Sequence, residues 1–237
     1  MHGIMAIMAE RPLHVISSMA TRDVLRELAR SYSSATLQET VTEAAGGVDV
    51  AKRVETGEPL EVVVLASDVI DRLIGAGKLL AGSRVDLVKS GVVVAVRSGA
   101  PKPDVATEEA LKRAVLAAKT ISYSTGPSGA HLQQTFERWG VLDQIKPRIV
   151  VAPPGVPVGS LIAEGAAELG FQQLSEFINL PGVEILGPLP PPVQTVTIFS
   201  GGIAASCSRP EAARAFLNFA ASPAADEIKR RYGMQPA

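Results

Sequence analysis

Residues 121–140 read ISYSTGPSGAHLQQTFERWG, and the order of residue types in this stretch decides the fold. Ile121 to Tyr123 is a short apolar run of strand character. Gly126 and Pro127 break it, and Leu132, Phe136 and Trp139 then recur at helical spacing. A strand thus passes through a tight turn into an amphipathic helix, with Ser128 as the expected N-cap. The backbone N–H groups of Ser128, Gly129, Ala130 and His131 then lack intrahelical acceptors, and the helix dipole adds partial positive charge to the turn. An oxyanion is the natural guest of such a turn. The plain alternative is an ordinary capped strand-to-helix connection.

The same grammar opens the chain. LHVISS ends at Ser17 and Ser18 and precedes a helix with Val24, Leu25, Leu28 and Tyr32 on one face. A second strand is expected from Leu37 to Thr42, running through Ala44-Ala45-Gly46-Gly47 into a helix that Gly57 ends. EVVVLA is a third, solidly apolar strand, suited to burial on both faces of a parallel sheet. Ser67 and Asp68 then cap a helix that Gly75 and Gly77 stop. Three βα units with small residues after each strand imply an open α/β sheet, which binds ligands outside the carboxyl ends of its strands.

A second set of units follows the apolar strand GVVVAVR (residues 91–97) and a helix from about Thr107 to Ala118. It comprises TISY with its turn, PRIVVA with the loop PPGVPVGS, and AELGF followed by Gln172 and Gln173. The proline-rich GPLPPPV leads into QTVTIFSGGIAA, a return crossing to the first domain. Two helices close the chain, one opened by Pro210 and one by Ser222-Pro223, with Gly233 as the stop.

Composition excludes several classes of function. The 237 residues are 46% hydrophobic, and 23 basic residues nearly balance 24 acidic ones. That balance argues against nucleic acid or an anionic membrane as partner. The single cysteine, Cys207, rules out an internal disulfide and reads as a small core residue. His2, His14 and His131 are too scattered for a zinc site, and GAGK at Gly75 to Lys78 lacks phosphate-loop spacing. No metal or cofactor is expected. No apolar run reaches the ~20 residues that span a bilayer. MHGIMAIMAERPLHV lacks signal-peptide features, so the expected location is cytoplasmic, or periplasmic if a leader was removed; Met8 could be an internal start.

These pieces in this order resemble the periplasmic-type substrate-binding proteins of ABC transporters, in the branch that includes molybdate-binding proteins. The resemblance spans Leu13 to Met234. It is carried by SRPEAARAFLNFAASPAADEIKRRYGM, by GVLDQIKPRIVVAPPGVPVGSLIAEGAAELGF and by the turn and helix quoted first. It implies the type 2 periplasmic binding fold, two Rossmann-like α/β domains joined by hinge strands. The expected division is residues 13–95 plus 197–237 as one domain and 96–196 as the other. Hinge crossings fall near Val92 to Arg97 and Val193 to Ala205. The resemblance also implies a small anion in the interdomain cleft, a monomer, and an ABC permease as a possible partner. Its ligand contacts carry over to Ser17, Ser18, Gly46, Gly47, Ser67, Ser128 and Gly129.

Two departures shape the ligand. Molybdate binders carry a serine and glycine turn where this chain has Ala44-Ala45-Gly46-Gly47, and a tyrosine hydroxyl where it has Gln173. A primary amide both donates and accepts, which suits an asymmetric organic anion better than a symmetrical tetraoxyanion. Gln172, beside it, reads as a solvent-facing loop cap or a second contact. Isomerases of unsaturated tricarboxylates such as aconitate resemble molybdate binders. In that alternative Tyr123, His131 or Ser18 would carry a proton between carbons of a bound polycarboxylate. The ligand-sensing domain of a LysR-type regulator is a third reading, without the N-terminal helix-turn-helix of the DNA-binding forms.

Overall fold

The structure is a computed structural model in which residues 11–153 and 156–237 are described; His2, Met8 and part of the PPGVPVGS loop lie outside them. Three βα units come first: β1 (Leu13–Ser18) and α1 (Arg22–Thr36), β2 (Thr40–Ala45) and α2 (Gly47–Glu55), β3 (Val62–Ala66) and α3 (Ser67–Gly75). The long strand β4 (Val85–Arg97) leads to α4 (Glu108–Ala117), β5 (Ile121–Tyr123), α5 (Pro127–Arg138), α6 (Leu142–Ile145) and α7 (Val158–Ala163). β6 (Leu169–Gln173), α8 (Leu174–Phe177) and β7 (Val183–Pro188) follow. The return strand β8 (Val196–Ile203) then precedes α9 (Pro210–Ala221), α10 (Asp226–Arg231) and β9 (Gln235–Pro236).

Strands pair in the order β2-β1-β3-β8-β4-β6-β5, with β7 and β9 also on β4. β1 lies parallel to β2 and β3, whereas β8 runs antiparallel to β3 and β4. β4 serves two sheets. From Val85 to Gly91 it pairs with β8, and from Val92 to Arg97 it pairs with β6 and β7.

Successive side chains on a strand point to opposite faces, so a strand covered on both sides must be apolar throughout. β3 shows this: Val62 and Val64 face one core with α1 and α9, while Val63 and Leu65 face another with α2 and α3. β4 repeats it further along. Val92, Val94 and Val96 join a core with Leu111, Leu132 and Phe136, while Val93 and Ala95 join one with Val158, Ile162 and Phe177. Each sheet is a sandwiched α/β layer with its own cores, and the fold has two such domains.

The switch at Gly91 and Val92 needs a device, because β4 changes neighbours there. The Gln194 side chain supplies it. Its Oε1 accepts from Val92 N–H (3.1 Å) and from Thr195 N–H (2.9 Å), and its Nε2 donates to the Val92 carbonyl (3.0 Å). One amide stands in for a strand partner where the strand changes sheets.

Several elements differ from the sequence reading. β2 begins at Thr40, because α1 runs to Thr36 and Leu37 then turns left-handed (φ 62°). PRIVVA forms a 3-10 turn and a single bridge, Ile149 to Ile121, since it lies outside β5 with no further strand beside it. VDLVKS extends β4 backward, hidden in sequence by Asp86 and Lys89, which point outward. β7 and β9 are edge additions to β4 that the proline-containing sequence conceals. Cys207 is partly buried between the two cores of the first sheet.

Two stability predictions follow from this geometry. Leu37 is 93% exposed in a conformation that favours glycine, so it contributes strain and no packing. Leu37→Gly relieves about 1–2 kcal/mol of left-handed strain against about 0.4–1 kcal/mol of added unfolded-state entropy, so the thermal midpoint should rise by up to about 4 °C. Gln194→Leu leaves the Val92 backbone without its amide partner and should cost about 1–3 kcal/mol in a denaturant titration. A neutral result would show that Val92 pairs adequately with its other neighbours.

Candidate functional site

The C-terminal ends of the first three strands form one rim. Strand register places Ser17 beside Ala44 and Val64, and Ser18 beside Ala45. Ser17 and Ser18 are buried, at 1% and 9% exposure. Ser17 Oγ donates to the Ser18 carbonyl (3.1 Å), as does Thr21 Oγ1 (3.2 Å). Ser18 Oγ has no partner, so a buried hydroxyl stands free at the end of β1. Gly47 adjoins it: a methyl group on its Cα would lie 3.7 Å from Ser18 Cβ and 3.8 Å from Leu65 Cδ2.

Two helices start on this rim without a side-chain cap. The N-cap of α2 is Gly46 and that of α3 is Ala66, and neither offers a side-chain acceptor. Ser67 is therefore the first helical residue of α3 rather than its cap. In α2 the first backbone bond runs from Val50 N–H to the Gly46 carbonyl (2.9 Å), which leaves the N–H groups of Gly47, Val48 and Asp49 without intrahelical acceptors. The second sheet presents the corresponding start of α5. Its N-cap is Gly126, with Pro127 as the first helical residue, two residues before the expected cap at Ser128. Proline's fixed φ and missing N–H suit that position. Ala130 N–H pairs with the Gly126 carbonyl (3.1 Å), so the free donors narrow to Ser128 and Gly129.

Backbone geometry fixes the α5 turn. Ser128 is 5% exposed, and its hydroxyl bonds that of Ser124 at 3.0 Å. A Cβ on Gly129 would fall 1.6 Å from the Ser124 carbonyl oxygen and 3.1 Å from Tyr123 Cδ2. Only glycine fits. Tyr123 packs against Phe136, their ring centroids 6.0 Å apart, and burial pushes its phenol pKa upward. His131 Nε2 lies 2.9 Å from the Val193 carbonyl, so its ring ties α5 to the return segment.

The two glutamines at the end of β6 have different duties. The hydrogen-bond network orients the Gln173 amide with its oxygen toward Thr197 Oγ1 (3.0 Å) and its nitrogen toward Ser90 O (2.9 Å), Ser90 Oγ (3.0 Å) and Gly91 O (3.1 Å). That side chain is spent on the crossing strands. Gln172 is equally buried, at 4%, but its Oε1 has no partner. Its amide contacts Glu176 on α8. Ser175 Oγ donates to the Ala20 carbonyl (2.8 Å), in the 3-10 turn Met19–Thr21 that follows Ser18, so α8 touches the first rim directly.

Glu176 is the functional candidate that sequence reasoning missed. It is partly open to solvent, yet protein surrounds its carboxyl, and desolvation pushes its pKa up to about 8, opposed by the positive charge of Arg22. The unfolded chain releases this proton near 4.5 and the folded chain keeps it to about 8, so the group lowers stability as pH rises through that window. No motif marks it. Its one signal in sequence is its place four residues after Gln172 at a strand end.

Two open hollows lie away from the rims: about 600 Å³ beside Lys102 and Pro190, and about 210 Å³ beside Gly57 and Ala205. Among the described residues, none of the buried side-chain atoms without a partner lines either of them. A small anion held by backbone amides needs little volume, so the rims outrank the hollows as the site. Among the described residues no three His, Cys, Asp or Glu side chains are grouped to hold a metal ion, and no helix is long and apolar enough to cross a membrane.

Two α/β domains linked by β4 and β8, with helix starts and small residues at the strand ends, define the type 2 periplasmic binding fold, in its molybdate-binding-like form. The chain belongs to the bacterial extracellular solute-binding protein family, whose model matches residues 13–235. It is 36% identical over 232 residues to an aconitate isomerase from a Pseudomonas species, covering 94% of this chain and 87% of that one. It is 24% identical over 220 residues to the molybdate-binding protein ModA of Azotobacter vinelandii, covering 88% and 84%. The solved periplasmic molybdate-binding protein of A. vinelandii superposes with a TM-score of 0.78 over 94% of this chain and 98% of that one, at 24% identity. The Mycobacterium tuberculosis sulfate-binding protein SubI gives 0.77 at 16% identity, over 96% and 88%.

The α5 turn yields a paired test. Gly129→Ala drives a methyl into a backbone oxygen and should destabilise by about 3 kcal/mol or more. Gly126→Ala, whose methyl would sit 3.7 Å from Ser124 Oγ, should stay within about 0.5 kcal/mol of the parent in the same denaturation assay.

Proposed function

We propose that this chain binds a small organic polycarboxylate between its two domains and closes on it, as a solute-binding protein of the ABC-transporter type. The observation that carries this reading is the set of unpaired donors at the strand ends. Free N–H groups begin α2 and α5, and the unpartnered Ser18 hydroxyl adds a side-chain donor. Helix starts of this kind favour negative charge. Ser17, Ser18, Gly46, Gly47 and Ser67 form one side of the grip, and Ser128 and Gly129 the other. Gln173 sits at the base, on the strands that bend.

Closure rotates residues 96–196 against residues 13–95 plus 197–237, at the β4 switch and the segment leading into β8. The ligand must favour the closed form, since equal affinity for both forms would shift nothing. An ABC permease is the partner in this reading. The protein then works outside the cytoplasmic membrane, behind a leader, and acts as a monomer without metal or cofactor. A tricarboxylate is preferred to molybdate because the 36%-identical relative is named for aconitate, whereas the Gln173 amide, bonded to the crossing strands, leaves no hydroxyl at the position of the tyrosine.

That relative also favours a second reading, an isomerase of an unsaturated tricarboxylate in the cytoplasm. One group takes a proton from the methylene carbon, the double bond moves along the chain, and a proton returns at the other end, with no redox change. Among Tyr123, His131 and Ser18, Ser18 has a buried hydroxyl without a partner, burial raises the Tyr123 phenol pKa, and His131 is bonded to the return segment.

A thermal-shift screen against molybdate, tungstate, sulfate, phosphate, citrate and both isomers of aconitate separates these outcomes, with NMR following any conversion. A true ligand raises the midpoint by mass action, by about 2.7 kcal/mol of stabilisation at a hundredfold excess over Kd. An intact tricarboxylate supports the binding protein, and conversion supports the isomerase. Gly47→Ala supplies the site test: its methyl makes only ordinary contacts with Ser18 and Leu65, so the midpoint should hold while affinity falls at least tenfold. Unchanged affinity would remove this rim from the site.

A further inference from the structure

Two polar side chains that the grip leaves unused, Gln172 and Glu176, meet where β6 runs into α8. Gln172 Oε1 is buried without a partner, and its other amide atom lies 2.5 Å from Glu176 Oε2. Buried polar atoms are nearly always paired, so the orphan needs a reason. The spacing is also short for an N–H···O bond, which spans about 2.7–3.2 Å, and ordinary for O–H···O, at about 2.5–3.0 Å. Amide nitrogen and oxygen are assigned from the surrounding network. A proton on Glu176 accounts for the short spacing: the carboxylic acid donates O–H to the amide oxygen and the amide turns over. The unpaired atom is then the amide nitrogen, whose N–H donors await an acceptor.

We propose that Glu176 and Gln172 form a proton-dependent recognition pair of the cleft, in which protonated Glu176 turns the Gln172 amide so that its N–H donors face a bound carboxylate. Without the proton, Gln172 must donate to Glu176, and its carbonyl oxygen then faces the ligand and repels it. Position supports the role. Ser175, between the two residues in sequence, bonds the carbonyl of Ala20, two residues after Ser18, so α8 lies against the turn that follows the first rim. The surroundings supply little to hold the carboxyl ionised. β4 places Val93 opposite Gln172, and the Met19–Thr21 turn has no titratable side chain. Leu174 and Ile178 face Gly233. Among the described residues Arg22, on α1, supplies the opposing charge, and it is already hydrogen-bonded to Asp23 (3.1 and 3.2 Å). Burial accordingly raises the Glu176 pKa to about 8, so the neutral acid prevails at neutral pH.

This inference rests on the reading of the cleft as a polycarboxylate site and adds one coupled proton to it. The test is calorimetric titration of the whole chain with trans-aconitate from pH 6.5 to 9.5 at fixed ionic strength, where the ligand itself stays fully ionised. Affinity should be flat below about pH 8 and fall up to tenfold per pH unit above it, the slope of one linked proton. Glu176→Gln should flatten the profile, and Gln172→Met should weaken binding at least tenfold at neutral pH. A flat profile in the parent, or an unchanged slope in Glu176→Gln, overturns the proposal. Carbon-13 NMR of labelled glutamates in the ligand-free protein supplies a readout that needs no ligand. One carboxyl should titrate near pH 8, vanish in Glu176→Gln, and carry the Gln172 side-chain amide signals with it. Glutamates that all titrate in the ordinary range overturn the pair. Absence of any anion binding beside a carboxyl titrating near 8 overturns the polycarboxylate reading and leaves the proton-set amide standing.

Discussion

The hydrogen bonding of β4 is the constraint on which the rest depends. A strand buried on both faces must pair every backbone N–H and C=O, and β4 must do so while passing from one sheet to another. It meets β8 and β9 before Gly91 and β6 and β7 after it, and the Gln194 amide covers Val92 at the change. Two domains linked by continuous strands bend most easily where ladder bonds are replaced by a side chain. The same point also carries the Gln173 amide, which bonds Ser90, Gly91 and Thr197, so the end of β6 is fastened to the crossing. In the proposed closure, the hinge and the base of the site are therefore one piece of structure.

From that piece outward, the site follows from where strands end. Parallel strands in register finish together, so Ser18, Ala45 and Ala66 stop on one line and helices start from it. Small residues there bring N–H groups to the surface of the cleft. The second domain offers a similar start at α5, shaped by the contact of Gly129 with the Ser124 carbonyl. No arginine or lysine is needed to hold the anion in such a grip, because partial charges from aligned peptides do so and are fixed by the fold. On the proposed reading, a chain of net charge −1 can thus receive an anion.

Much of the fold was legible. The apolar strands LHVISS, VVVLA and GVVVAVR, the glycine stops and Pro210 at a helix start each act through local physics, either side-chain period or allowed φ. What escaped were pieces stabilised by partners distant in sequence. VDLVKS alternates charge with apolar residues and becomes strand only because β8 lies beside it. β7 contains Gly187 and Pro188 and survives as an edge on β4. PRIVVA has strand composition yet finds one bridge. In the site, the glycine and serine turns were visible because backbone approach demands small residues. Glu176 was not, because a lone carboxylate on a four-residue helix carries no pattern.

The sequence by itself determined the class of fold, the strand ends and the small residues that expose backbone donors, since these depend on period and steric size within short stretches. The tertiary structure alone decided which polar side chains remain free. Gln172 and Gln173 are neighbours of identical chemistry, and alternation across the sheet sends one to the crossing strands and the other to Glu176. Burial then raises the pKa of the Glu176 carboxyl, an effect of the surrounding volume that no local stretch of sequence encodes.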